Sequence, residues 1–254
     1  MKDTYSKKVI KKVLKGFGLE ARDIPRKSAK TPDFEVIGEN SRYILEFKIK
    51  GDDIEEIKKD RKKLDTGEIV GQEISTGPRN RLYAVIAEGV RQINEYDPGH
   101  NTFHILWLHS SGRNDHLLNM RFHATLFGTQ DLFSLGKKDL MTCYFFHESS
   151  FYSHQNALDG VILTYKNKLQ LCVNTLSPHY KDFIKSNLYL VLSAGLCDPR
   201  VLERKEEAMI ADCDVDRKKS GEMLNFLKNK YSLEHLQTID MKQISAMIAV
   251  PKEN

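Results

Sequence analysis

Three residue types that can carry out metal-assisted hydrolysis lie close together in the sequence: Asp33, Glu46 and Lys48. They sit in two extended segments, Asp33 to Ile37 and Arg42 to Lys50. The turn-rich quartet Gly38-Glu39-Asn40-Ser41 between them is suited to a hairpin. If the turn closes with Ile37 opposite Arg42, counting back puts Phe34 opposite Leu45 and Asp33 opposite Glu46. Opposed residues share a face, with Cβ atoms about 5 Å apart. Alternation brings Lys48 to the same face and turns Leu45, Phe47 and Ile49 toward the core. Opposed carboxylates repel unless a cation compensates. Lys48 supplies one charge, and hard oxygen donors at this spacing suit Mg²⁺ or Mn²⁺, which also keep water and phosphate ligands. Such an ion makes a nucleophile of bound water and polarises a phosphoryl oxygen. The ammonium orients that water and neutralises charge as it develops. The chemistry expected is phosphodiester hydrolysis.

The elements that must hold these groups are legible on either side. Val9, Ile10, Val13, Leu14 and Phe17 recur at helical spacing, and lysines fill the other faces, which predicts a helix from about Thr4 to Phe17 stopped by Gly18. A polar connection follows, ending in a loop from Lys27 to Pro32. Residues 51–66 read as a connection or a solvated helix, and Glu73 to Asn80 as a loop. Leu82, Val85, Ile86, Gly89, Val90 and Ile93 give the next helix, about Arg81 to Tyr96, one apolar face. Phe103 to His109 is a nearly continuous apolar run, expected as a strand buried on both faces of a mixed sheet. Further on, a helix is expected over Asn114 to Phe127. Strands are expected at Met141 to Phe146, Ala157 to Tyr165 and Lys168 to Asn174, the last two joined by a Lys166-Asn167 turn. Helices are expected over Lys181 to Leu192, Pro199 to Ile210 and Ser220 to Tyr231.

Composition narrows the class. Of 254 residues, 40% are hydrophobic and 29% charged, which is enough apolar material for a globular core. No run approaches the length of a membrane span. The lysine-interrupted N-terminus reads as neither signal peptide nor anchor, so a cytoplasmic protein with no membrane partner is expected. Cys143, Cys172, Cys197 and Cys213 form no C-x-x-C pair, and the nine histidines form no H-E-x-x-H. Neither a zinc ribbon nor a histidine-bound zinc is expected. Residues 1–30 hold ten Lys or Arg against three Asp or Glu, a local positive excess that attracts a phosphate backbone.

Pro32-Asp33, twelve residues, then Glu46-Phe47-Lys48 resembles the signature of the PD-(D/E)xK nuclease superfamily, carried on a β-hairpin after a helix. Gln92 and Tyr96, four apart on the following helix, resemble the Q-x-x-x-Y element of its RecB-like branch. The resemblance covers about residues 5–110. It implies an α/β, restriction-endonuclease-like mixed central sheet flanked by helices, with residues 1–112 as nuclease core. One domain is expected, residues 113–254 matching no known family and adding an α/β extension packed on that core. The resemblance implies Asp33, Glu46 and the Phe47 carbonyl as ligands of Mg²⁺ or Mn²⁺, and Lys48 as the group that positions water. Members often add an acidic residue from the first helix. Here that helix holds no Glu, and Glu20 just beyond it is the nearest candidate. Gln92, Tyr96 and the basic face of Lys8, Lys11, Lys12 and Lys15 would contact nucleic acid, with DNA as the expected substrate. By analogy the setting is restriction, repair or antiviral defence, as a homodimer or with a partner subunit. The alternative is a catalytically silent nucleic-acid-binding or assembly subunit that keeps the fold.

Overall fold

The computed structural model of the protein describes residues 2–25, 30–51, 54–74, 80–134, 140–239 and 245–249. The chain opens with helix α1 (Lys2–Gly16), then strands β1 (Glu20–Asp23), β2 (Phe34–Ile37) and β3 (Arg42–Lys50). Helix α2 (Ile54–Asp65), β4 (Val70–Ile74), α3 (Asn80–Tyr96), β5 (Phe103–Ser110) and α4 (Asp115–Phe127) follow. Next come β6 (Gln130–Phe133), β7 (Met141–Tyr144), α5 (Ser150–Ser153), β8 (Gly160–Tyr165) and β9 (Lys168–Val173). The rest comprises α6 (Tyr180–Phe183), α7 (Asn187–Val191), β10 (Leu196–Cys197), α8 (Pro199–Arg204), β11 (Ala208–Ile210), α9 (Ser220–Tyr231), β12 (Gln237–Ile239) and β13 (Ser245–Ala249). No helix among the described residues is long and apolar enough to cross a membrane.

A seven-stranded mixed sheet in the order β1-β2-β3-β5-β8-β9-β10 forms the centre. β1, β2 and β3 run antiparallel in turn, β3, β5 and β8 are parallel, and β9 is antiparallel to β8. β5 lies in the middle, buried on both faces as its apolar run predicts: Ile105, Leu106 and Leu108 are all inaccessible. The boundary at residue 112 runs through this sheet, because β8, β9 and β10 complete what β1, β2, β3 and β5 begin.

Alternation sorts the sheet's side chains to two covers. Leu106, Leu108, Val161 and Leu163 meet Ile86 and Val90 of α3 and Phe122 and Leu126 of α4. Phe34, Tyr43, Leu45, Phe47, Ile105 and Trp107 meet Ile10 and Leu14 of α1 together with Phe183 and Leu188. Ile49, expected in the core, is 40% exposed, because β3 outruns its cover there. α1 ends where Gly18 adopts φ +75° and the Leu19 N–H bonds back to the Leu14 carbonyl at 2.9 Å, a Schellman stop.

A second sheet, β11-β7-β6-β12, packs Leu132, Met141 and Met209 on Met223 and Leu227 of α9, and β13 pairs with β4. Several expectations change here. Lys181 to Leu192 is two short helices, because the Ser186 side chain caps a new start at α7. Pro199 to Ile210 is a helix only to Arg204. Residues 208–210 form β11, drawn into strand by pairing beside β7. The polar connection after Gly18 contains β1, an edge strand whose exposed side chains give no apolar alternation to read. Asn114 stands at the start of α4 without a side-chain cap bond. The loop expected over 73–80 begins inside β4, and residues 75–79 lie outside the described residues, as do 26–29 of the loop before Pro32.

Candidate active site

The hairpin pairs in the register counted from its turn: Ile37↔Arg42, Val36↔Tyr43, Glu35↔Ile44 and Phe34↔Leu45. At Asp33 the simple count fails. Its N–H donates to the Leu45 carbonyl at 3.2 Å, the residue already opposite Phe34, so the chain steps as in a β-bulge. β3 continues beyond its ladder with β2, and the Asp33 carboxylate caps the freed edge: Oδ2 accepts the Phe47 N–H at 3.0 Å. The N–H and C=O of one strand residue point to the same side, so the Phe47 carbonyl shares that edge.

Glu46 and Lys48 project on the α3 face, with Lys48 Nζ 2.8 Å from Glu46 Oε1. The same ammonium donates to Gln92 Oε1 at 2.7 Å. Glu46 is only 4% exposed, and burial, with the nearby Asp33 charge, pushes its carboxyl up to about 7 against the pull of Lys48. Asp33 Oδ1 meets the ammonium of Lys7, which projects from α1 and lies 5.8 Å from the Phe34 ring centroid. Two carboxylates, each paired with one ammonium group, thus lie near one another in a largely buried cluster.

The other expected residues divide. Gln92 is buried and held by Lys48. Tyr96, one turn further along α3, is 44% exposed. Glu20 does not reach the cluster: it pairs with Ile37 at the far end of β1 and is bound by Arg22 at 2.9 Å. Asp33 immediately precedes β2 and Ile37 ends it, so the separation is about 13 Å at the rise of a strand. Lys8, Lys12 and Lys15 are exposed on α1, while Lys11 is bound to Asp23.

Two residues of the cluster are missing from the expectations. Lys7 stands four before Lys11, a spacing that marks a shared helix face. Its partner Asp33 is visible only once α1 is docked on the hairpin. Glu88 stands four before Gln92. Its 2.7 Å bond to Lys30, with the charge of Lys48 as a lesser cause, holds its carboxyl below the usual range.

A hard divalent cation fits the donor types. Glu46 Oε2 is buried with no hydrogen-bond partner among the described residues, and a carboxylate oxygen left so is costly unless something else satisfies it. With the Asp33 carboxylate and the Phe47 carbonyl it forms an all-oxygen set. Comparisons with family models, with curated proteins and with solved structures returned no match to this chain.

Proposed function

We propose that this chain is a metal-dependent nuclease that hydrolyses phosphodiester bonds, with DNA as its substrate, on a restriction-endonuclease-like core. The observation that carries the reading is the convergence of Asp33, Glu46, Phe47 and Lys48 at the edge of β3 that β2 leaves open, with Gln92 beside them. The helix before the hairpin and the helix after it, whose Gln92 contacts Lys48, support the PD-(D/E)xK reading.

Asp33, Glu46 and the Phe47 carbonyl would hold Mg²⁺ or Mn²⁺, which when bound supplies polarisation of the phosphoryl oxygen and an acidified water. Lys48, fixed between Glu46 and Gln92, orients the attacking water and stabilises negative charge developing on the phosphate. Lys7 balances Asp33 and presents a second ammonium to the same phosphate. The exposed Lys8, Lys12 and Lys15 contact the backbone beyond it.

A second reading rests on a specific observation: both carboxylates already touch a lysine, Asp33 with Lys7 and Glu46 with Lys48. These internal cations supply the compensating charge without a metal, which favours a silent nucleic-acid-binding or assembly subunit. The two readings part on metal dependence. Wild type, Glu46→Ala and Lys48→Ala are incubated with circular and linear DNA, single- and double-stranded, and with RNA, in Mg²⁺, Mn²⁺ or EDTA. Cleavage that needs metal and falls at least about a hundredfold in both variants is expected. Binding without cleavage, indifferent to EDTA, would establish the silent subunit. Cleavage that persists in both variants would sink the site.

A further inference from the structure

A second constellation lies at the opposite end of the sheet from Lys48, where β5 and β8 begin and β9 ends. His100, Asp159 and His179 come from three loops there, and their ligand-type atoms all lie within 4.8 Å of one another. We propose that these residues bind one zinc-class divalent ion through His100 Nε2, His179 Nδ1 and an Asp159 carboxylate oxygen, leaving a fourth position open to a cleft.

Four observations converge. First, the donors are near the required spacing. A tetrahedral ion with 2.0–2.1 Å bonds holds its ligands about 3.3 Å apart. His100 Nε2 is 2.6 Å and His179 Nδ1 3.8 Å from the two oxygens of Asp159. Shifts of about 0.7 Å or less bring these two pairs to that separation.

Second, the outer partners that metal ligands require are in place. His100 Nδ1 faces the Asn156 carbonyl at 3.2 Å and would keep its proton there, while Nε2, here hydrogen-bonded to Asp159 at 2.6 Å, would give that contact up to the ion. Asp159 is inaccessible and is oriented from two sides, by the Ser177 hydroxyl at 2.5 Å and the His104 N–H at 2.8 Å.

Third, the loop that presents His100 is pinned across its base. Asp97 accepts the Thr102 N–H at 3.0 Å and the Thr102 hydroxyl at 2.8 Å. His100 itself sits at φ +48°, a conformation that a non-glycine residue adopts at some cost.

Fourth, the imidazoles crowd. The His100 ring lies 4.0 Å from His179 edge-on and is stacked 3.9 Å from His104. Neutral rings sharing a cation sit together there without the mutual repulsion of imidazolium ions.

Imidazole nitrogen with one carboxylate suits Zn²⁺, Co²⁺ or Ni²⁺ and not Mg²⁺. Three protein ligands and an accessible side are the pattern of a zinc site that takes water or a small anion as its fourth ligand. Here both histidines line a cleft of about 660 Å³, shared with the β2–β3 turn and residues 101–103. Sequence spacing does not announce this site. Its ligands are 59 and 20 residues apart, so no short motif contains them.

The test is independent of the nuclease reading. Metal-stripped full-length protein is titrated with Co²⁺ and followed by visible absorption, then competed with Zn²⁺. One equivalent with the intense bands of tetrahedral Co²⁺ is expected, displaced by Zn²⁺, retained in Glu46→Ala and weakened at least about tenfold in His179→Ala. His179 is partly exposed, so its loss is compatible with folding, which circular dichroism checks, and His179→Gln serves as a second variant. Absence of tetrahedral bands in wild type would overturn the proposal. So would Co²⁺ binding unchanged in both folded His179 variants, or binding lost in Glu46→Ala instead.

Discussion

The chemistry of the candidate site turns on one carboxyl group. Glu46 is buried beside Asp33, and both facts favour its protonated form, which raises its titration to about 7 from the 4.5 of an exposed glutamate. Between those values the unfolded chain gives up the proton first while the folded chain keeps it. Stability therefore falls as pH rises from about 4.5 to about 7, and the full cost is present above that. A shift of this size corresponds to about 3 kcal/mol. Glu46→Gln removes the titration, so the variant should be more stable than wild type at pH 8 by up to that amount and indistinguishable near pH 4. Urea denaturation at the two pH values checks this. A variant equally or less stable at pH 8 would show that Lys48 already offsets the burial. Stability spent on an ionised buried carboxylate is the signature of a residue kept for chemistry.

At the scale of elements, α3 controls how Gln92 meets Lys48. Its approach to the sheet depends on Gly89: a Cβ there would fall 2.5 Å from Leu106 Cδ1, and Leu106 is wholly buried in the middle strand. Gly89→Ala gains up to about 1 kcal/mol of helix propensity but overpacks the core at a cost of about 1–3 kcal/mol. A net loss of about 1 kcal/mol is expected, read as a lower urea midpoint at unchanged slope. Unchanged or raised stability would mean that the helix shifts without cost. The same helix separates the legible from the illegible. Its apolar face follows from periodicity, and Gln92 is singled out only by the resemblance to a Q-x-x-x-Y element. The exposure of Tyr96 follows from neither, because a pair four apart shares a face without both members reaching the same strand. Glu20 fails for a related reason. Nearness in sequence to α1 counts for little once β1 carries it to the far end from Asp33.

At the scale of the molecule, the central sheet takes strands from both halves of the chain, and β5 pairs with β3 on one side and β8 on the other. Ending the chain at residue 112 would bare the whole β8 edge of β5. It would also remove Phe122, Leu126, Val161, Leu163 and Phe183 from the two cores. A fragment of residues 1–112 should therefore lack a cooperative thermal transition by far-UV circular dichroism, although it holds every residue of the candidate nuclease site. A sharp transition with native-like strand signal would show that the first half folds alone.

The sequence alone makes legible the hairpin and its pairing from Ile37 back to Phe34, though not the step at Asp33, because a four-residue turn and strict alternation leave one pairing that buries Phe34, Val36, Leu45 and Phe47 together. It also determined α1, α3, the buried β5 and the β8–β9 hairpin, whose periodicities are strong and local. Tertiary structure alone decided the rest. Lys7 reaches Asp33 only because α1 docks on that side of the hairpin, and 208–210 became strand only beside β7. His100, Asp159 and His179 meet only because three loops end at one edge of the same sheet. Those contacts join residues far apart in the chain, where neither spacing nor propensity carries information, and burial of two opposite sheet faces sets which groups are brought together.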